Sequence, residues 1–249
     1  MKKEIAVVIL AAGKGKRMLN PEKSKVMFPL KGKPMLEYVI DLALKIEAVK
    51  IIPIVGHRKE DVIKFVSDKY VNDISKLEFA HQDAQLGTGH AAMQTEKLLN
   101  DFKGDVLILS GDVPLLKYET IRSFLDFHIN GNYDASLLSA MFNDPSGYGR
   151  IIRDEKEGFI NIIEDKDTTE EQKKIKEINS GIYLVDNEYL FEALKTLKTN
   201  NSQGEYYLTD IFSFFKAKGL KIGAIPCKNN LEITGVNTVE QLREMEKAI

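Results

Sequence analysis

The 249-residue chain has one cysteine, Cys227, which excludes an internal disulfide framework and a cysteine zinc site. Its four histidines, His57, His81, His90 and His128, show no metal-ligand spacing among themselves. No apolar stretch approaches the ~18 residues of a membrane span, so no membrane partner is expected. Neither sign of charge dominates: 35 basic against 37 acidic residues give a formal net charge of -2. No global basic field therefore points to nucleic acid. Low-complexity linkers and internal repeats are missing too. What remains is an ordinary globular composition, 43% hydrophobic and 29% charged, in a chain long enough to bury a core without staples. A single cysteine fits a reducing compartment, and a cytoplasmic location is expected. The start, "MKKEIAVVILAAG", has the basic beginning and short apolar run of a signal peptide. Glu4 interrupts that beginning, and a cation-rich loop follows where a small-residue cleavage site would stand. It reads as a buried first strand.

The first half alternates strand and helix patterns. Strands are expected over 5–10, 50–56, 76–81 and 105–112, and helices over 35–46, 59–70, 88–101 and 118–129. "IAVVIL" is continuous and β-branched, as a parallel strand covered on both faces requires. This order implies an α/β fold with a doubly wound, mostly parallel sheet. From residue 133 strands follow one another over 133–142, 148–154, 158–165 and 180–186, with only the charged stretch 168–177 between them. Helices over 187–197 and 206–219, a strand over 220–227 and a helix over 238–248, N-capped by Thr238, close the pattern. The change near 133 reads as a β subdomain added to one sheet, so 1–249 is one domain with halves 1–132 and 133–249.

A glycine-rich turn after a buried strand is where open α/β sheets bind ligands. Here the turn is "LAAGKGKRM", residues 10–18. Both the dinucleotide fingerprint and the P-loop need glycine at position 18, which is Met18. What remains is a nest of backbone N–H groups flanked by Lys14, Lys16 and Arg17. Three cations suit a triphosphate better than a dinucleotide bridge; alone, the loop reads equally well as a surface turn. More cations follow, Lys23, Lys25, Lys31 and Lys33, before a helix opened by Pro34 in its first turn. The apolar pair Val26 and Met27 fixes the backbone of Lys25, from which an ammonium can reach back over the loop. Lys23, Lys31 and Lys33 read as surface lysines.

Several motifs then occur in order: "LAAGKGKRM", "KVMFPLKGKPM", "QLGTGHAA" (85–92), "SGDVPLL" (110–116), "GYGRI" (147–151), "EINSGIYL" (177–184), "GEYYLTDI" (204–211) and "GVN" (235–237). Together they resemble the sugar-nucleotide pyrophosphorylases, and most closely the uridyltransferase domain of the bifunctional N-acetylglucosamine-1-phosphate uridyltransferases. The resemblance runs from the first strand to the last helix. It implies a Rossmann-like nucleotidyltransferase fold with an inserted sugar-binding β subdomain. The hexapeptide β-helix of the bifunctional family has no counterpart up to Ile249, so neither acetyl transfer nor the trimer built by that β-helix carries over.

The implied reaction takes UTP and a sugar 1-phosphate to a UDP-sugar and pyrophosphate, with Mg2+ as cofactor. By resemblance Arg17 and Lys25 are the catalytic cations. Leu10, Ala11, Ala12, Gly13, Gln82, Gly87 and Thr88 bind the nucleotide, and Gly149, Glu164, Asn179 and Thr209 bind the sugar. Asp112, at a strand end among expected phosphates, is a magnesium ligand by charge logic, and Asn237 is its partner by resemblance. Against these stand plainer readings: Asp112 as a turn residue, Asn237 as a helix-cap neighbour, Glu164 as a solvated strand end, and Tyr206 and Tyr207 as packing. His90 reads as a helix-start hydrogen bonder. Rival functions are the same chemistry with another sugar or nucleotide, or a non-catalytic nucleotide-sugar sensor.

Overall fold

The computed structural model describes residues 3–18 and 20–249, with Lys16 represented by its backbone. The apolar run at the start forms β1 (Glu4–Leu10). A short hairpin of β2 (Pro29–Leu30) and β3 (Lys33–Pro34) leads into α1 (Met35–Lys45). There follow β4 (Lys50–Val55), α2 (Lys59–Lys69), β5 (Ala80–His81), α3 (Thr88–Met93), α4 (Glu96–Leu99), β6 (Gly104–Ser110) and α5 (Tyr118–Gly131). Three strands come next, β7 (Ala135–Met141), β8 (Arg150–Arg153) and β9 (Phe159–Ile163). Then come α6 (Glu170–Lys173), β10 (Glu177–Asp186), α7 (Asn187–Lys195), α8 (Ile211–Ala217), β11 (Ile222–Pro226) and α9 (Val239–Lys247).

One nine-stranded sheet runs in the order β11-β7-β10-β6-β1-β4-β5, with β8 pairing to β10 and β9. Along this path only β10 is reversed; its pairings with β6 and β7 are antiparallel, and the others are parallel. Side chains of β1 alternate between two cores, Ile5, Val7 and Ile9 on one face and Ala6 and Val8 on the other. This double burial is why "IAVVIL" carries no polar residue. Helices α1, α2 and α5 cover the first face, and α3, α4, α7 and α8 the second. A third, small core joins Met18, Leu30, Met35, Val236, Leu242 and Met245. Among the described residues, no helix is long and apolar enough to cross a membrane.

Four expectations need correction. The strand expected over 76–81 is only β5, because a 3-10 turn runs to Lys76 and Leu77 makes an isolated bridge to Ile51. Pro34 is not in the first helical turn; its backbone is extended and it stands at the N-cap, because it still pairs with Pro29 in the hairpin. The helix expected over 88–101 is two, α3 and α4. At the break, the buried Thr95 hydroxyl donates to the Ala92 carbonyl, a local bond that competes with the helical ladder. The helix expected over 206–219 begins only after a 3-10 turn at Leu208–Asp210, because the backbone of Tyr206 is bonded elsewhere.

Candidate active site

The parallel register brings Leu10 beside Ser110 and Val55 beside His81, so the carboxyl ends of four strands form one rim. Two adjoining cavities open there. The first, of about 290 Å³, is lined by Leu10, Ala11, Ala12, Gly13, Lys25, Gln82, Gly87, Thr88 and Asp112, among others. The second, of about 200 Å³, contains Gly149, Glu164, Asn179 and Thr209. Leu10, Thr88 and Ser110 belong to both, so they form a common wall.

The turn after β1 is held from below. Met18 is 1% exposed and packs with Val236 in the small third core. This burial gives the physical reason that position 18 is not glycine. It also sets the neighbours Arg17 and Asn237 together, with Arg17 Nη2 donating to Asn237 Oδ1 at 3.0 Å. Gly15 has φ +57, and a Cβ there would stand 2.7 Å from the Cβ of Lys25, so only glycine lets the turn lie over that lysine. Lys25 Nζ donates to Asn237 Oδ1 at 2.7 Å and pairs with Asp112 Oδ2. The Val236 N–H donates to the Asp112 carbonyl at 2.9 Å and ties the two segments. Two cations thus meet one carboxylate and one amide oxygen. Lys14 is exposed. Lys33 pairs with Asp41 at 2.5 Å, as a surface lysine does. The side chain of Lys16 lies outside the described residues.

Gln82 is 4% exposed, and its Nε2 donates to the Gly87 carbonyl at 3.0 Å and faces His90 Nδ1 at 3.2 Å. The 82–89 loop is stapled to the 204–209 segment. Gly89 N–H donates to the Tyr206 carbonyl at 2.8 Å, Tyr206 N–H to the Leu86 carbonyl at 2.9 Å, and Leu208 N–H to the Thr88 hydroxyl at 3.1 Å. Gly87, at φ +108, lies so close that a Cβ would stand 2.6 Å from the Tyr206 carbonyl oxygen. "QLGTGHAA" and "GEYYLTDI" are therefore one structure, read in the sequence as two.

The second cavity is built by β8, β9 and an irregularity in β10. Gly149 precedes β8 and Glu164 follows β9, and the pairing of Arg150 with Ile163 sets them opposite each other. A register shift between Asn179 and Tyr183 makes β10 irregular where Asn179, Ser180 and Gly181 line this cavity. Asn179 is engaged at both ends, donating to the Tyr183 hydroxyl at 2.7 Å and accepting from Gly181 N–H at 3.1 Å. Burial pushes the Glu164 carboxyl above its ordinary range, and the Thr209 hydroxyl, donating at 3.0 Å, works against that shift. Burial and the nearby Asp112 carboxylate likewise raise the Tyr148 phenol.

A family model described as nucleotidyl transferase matches residues 6–229. The chain belongs to the nucleotidyl transferase family. It is 44% identical over 246 residues to the bifunctional protein GlmU of Caldanaerobacter subterraneus subsp. tengcongensis, covering 99% of this chain and 52% of that protein. With GlmU of Thermoanaerobacter pseudethanolicus the identity is 44% over 243 residues, covering 98% and 51%. This nucleotidyl transferase thus spans about half the length of the curated relatives it matches. A UDP-glucose pyrophosphorylase complexed with UDP-glucose superposes with TM-score 0.80 at 20% identity, over 100% of this chain and 98% of that one. A Bacillus anthracis protein assigned as a glucose-1-phosphate thymidylyltransferase, in complex with sucrose, gives 0.79 at 21%, over 98% and 94%. At such identities the likeness establishes the shared α/β fold.

Sequence reasoning overlooked several residues at the cavities of this nucleotidyl transferase. Gln85, the first residue of "QLGTGHAA", lines the first cavity with Glu205. Tyr148 and Gly181 line the second. Arg150, 2% exposed, holds two of its flanks by donating to the Tyr148 carbonyl and, at 3.0 Å, to Asp165. Gln85, Glu205, Tyr148, Gly181 and Arg150 all sit within the quoted motifs, so the signal was present at the level of the motif but not of the residue.

Proposed function

We propose that this nucleotidyl transferase joins UTP and N-acetylglucosamine 1-phosphate to give UDP-N-acetylglucosamine and pyrophosphate. The observation that carries the reading is the meeting of Arg17, Lys25, Asp112 and Asn237, two of which, Lys25 and Asp112, line the first cavity. In this reading the 1–132 half supplies most of the nucleotide cavity: Leu10, Ala11, Ala12, Gly13, Gln82, Gly87 and Thr88. The 133–249 half supplies Gly149, Glu164, Asn179 and Thr209 to the sugar. A cytoplasmic setting, where nucleoside triphosphates are supplied, goes with it.

Magnesium fits the residues present. Asp112 Oδ2 and Asn237 Oδ1 already converge on one cationic atom, Lys25 Nζ, so two oxygen donors face a single cation-sized position. Among the described residues there is no cluster of three or more His, Cys, Asp or Glu. Two protein oxygens suit an ion that completes its shell with phosphate oxygens and water. A bound magnesium ion would supply neutralisation of phosphate charge. In the reaction, a phosphate oxygen of the sugar 1-phosphate bonds to the α-phosphorus as the bond to the β-phosphate's bridging oxygen breaks. Pyrophosphate leaves with the electron pair, and no covalent enzyme intermediate forms. Arg17 and Lys25 orient the triphosphate and stabilise its developing charge.

Pyrophosphate release with UTP, CTP, ATP and GTP against a panel of sugar 1-phosphates, with and without Mg2+, tests the reading. Release is expected with UTP and N-acetylglucosamine 1-phosphate; its absence sinks the proposal. Asp112→Ala is expected to lose Mg2+-dependent turnover by about 10²-fold or more. Full retained activity would remove Asp112 from the metal pair.

A further inference from the structure

We propose that Gln85 is a positioning residue that turns the Gly13 N–H into the nucleotide cavity. The proposal rests on the nucleotide reading above and deepens it. Gln85 lies half-buried in the loop between β5 and α3 and lines that cavity. Its Nε2 donates to the Ala12 carbonyl at 2.7 Å. A carbonyl only accepts, so the orientation of the Gln85 amide is fixed by its partner. The same carbonyl accepts a second, longer bond of 3.3 Å from the His57 N–H.

No peptide bond in the described structure is cis. In a planar trans peptide the N–H points opposite to the C=O. Holding the Ala12 carbonyl toward Gln85 and His57 therefore sends the Gly13 N–H the other way. Ala12 is buried and Gly13 exposed, and both line the cavity. Among the described residues the Gly13 N–H donates to no protein acceptor. The clamp has a physical purpose. A peptide followed by glycine turns over at little steric cost. Turned over, it would aim a carbonyl oxygen at a nucleotide whose base, ribose and phosphate edges are rich in oxygen. Gln85 makes that inversion unfavourable and keeps a donor, not an acceptor, on the cavity side. It also ties the 82–89 loop to the turn after β1, so the two parts of the nucleotide wall hold one spacing.

The test compares the wild type with Gln85→Glu and Gln85→Met. A carboxylate at 85 cannot donate and sets oxygen against the Ala12 oxygen, and methionine keeps the bulk without a donor. Calorimetric titration with Mg-UTP is expected to show affinity weakened about tenfold in Gln85→Glu and about threefold in Gln85→Met, where the His57 bond remains. The KM for the sugar 1-phosphate should stay within about twofold, since Gln85 lies outside that cavity. In ¹⁵N-labelled protein the Gly13 amide resonance should shift on UTP addition in the wild type and lose that shift in Gln85→Glu. Wild-type UTP affinity in either variant, or an unchanged Gly13 response in Gln85→Glu, overturns the role of Gln85 alone. A wild type that binds none of UTP, CTP, ATP and GTP overturns the nucleotide reading, and this inference with it.

Discussion

Lys25 and Arg17 both donate to one oxygen, that of the Asn237 side chain, while Asp112 supplies the only carboxylate of the four. Two positive charges against one negative leave a local excess that attracts a triphosphate and opposes a lone divalent cation. Lys25→Met is therefore expected to lower turnover by about 10²–10³-fold. The same variant should bind Mn2+ more tightly than the wild type when no nucleotide is present, as read by electron paramagnetic resonance. Equal Mn2+ affinity would show that Lys25 does not compete for Asp112 and Asn237. Met18 makes a different point. In the sequence it only excluded two glycine motifs; in the structure it is a core residue that holds Arg17 beside Asn237. Met18→Ala should cost about 2–5 kcal/mol in urea unfolding, the usual range for truncating a buried methionine. The charged residues of the proposed site, Arg17, Lys25 and Asp112, could be named from the sequence because phosphate chemistry calls for their types, and the structure brings them together. Gln85 was not, because its partner is a main-chain oxygen 73 positions away and leaves no complementary side chain to read.

Among the helices, α9 shows how a local sequence rule serves a distant site. Thr238 and Gln241 form a capping box, with Gln241 N–H donating to the Thr238 hydroxyl at 3.2 Å. Gln241 Oε1 also accepts from the Asn237 N–H at 2.7 Å, so the cap fixes the backbone of a proposed metal ligand. Thr238→Ala is expected to cost about 1 kcal/mol in chemical denaturation. Gln241→Ala should in addition weaken Mn2+ binding in the presence of UTP, while a surface change such as Glu240→Gln should not. Thr238 was recognisable as a cap from sequence, since its hydroxyl and an apolar helical stripe follow each other directly. The break between α3 and α4 was not, because a threonine inside an apolar-periodic stretch gives no sign of which carbonyl its hydroxyl will take. Nor was the late start of α8, which depends on Tyr206 bonding to a loop far away in the chain.

The end of the sheet opposite the rim holds a buried polar group that bears on the stability of the entire fold. His128 Nδ1 bonds the Ser136 hydroxyl at 2.8 Å, and its Nε2 lies 3.7 Å from Asp105, which pairs with Lys3 at 3.1 Å. Burial holds the His128 imidazole below its ordinary pKa of 6.5, with the Asp105 charge working in the other direction. Below pH 6.5 the unfolded chain takes up a proton at this position that the folded chain refuses. Stability is therefore present above that pH and lost as pH falls below it toward the folded pKa. The melting temperature should drop between about pH 7.5 and about pH 5.5, and the drop should shrink in His128→Gln. An identical pH response in both proteins would remove His128 as its source. The alternation of strands and helices made the doubly wound sheet readable, since burial on both faces leaves its mark on composition. The reversal of β10 and its insertion between β6 and β7 left no such mark, for they depend on which strands become neighbours. The hydrogen bonds between the 82–89 loop and the 204–209 segment have a practical bearing on protein engineering. A chimaera that imports one of these stretches from a relative without the other would join backbones that never matched, so the two form a single unit of exchange.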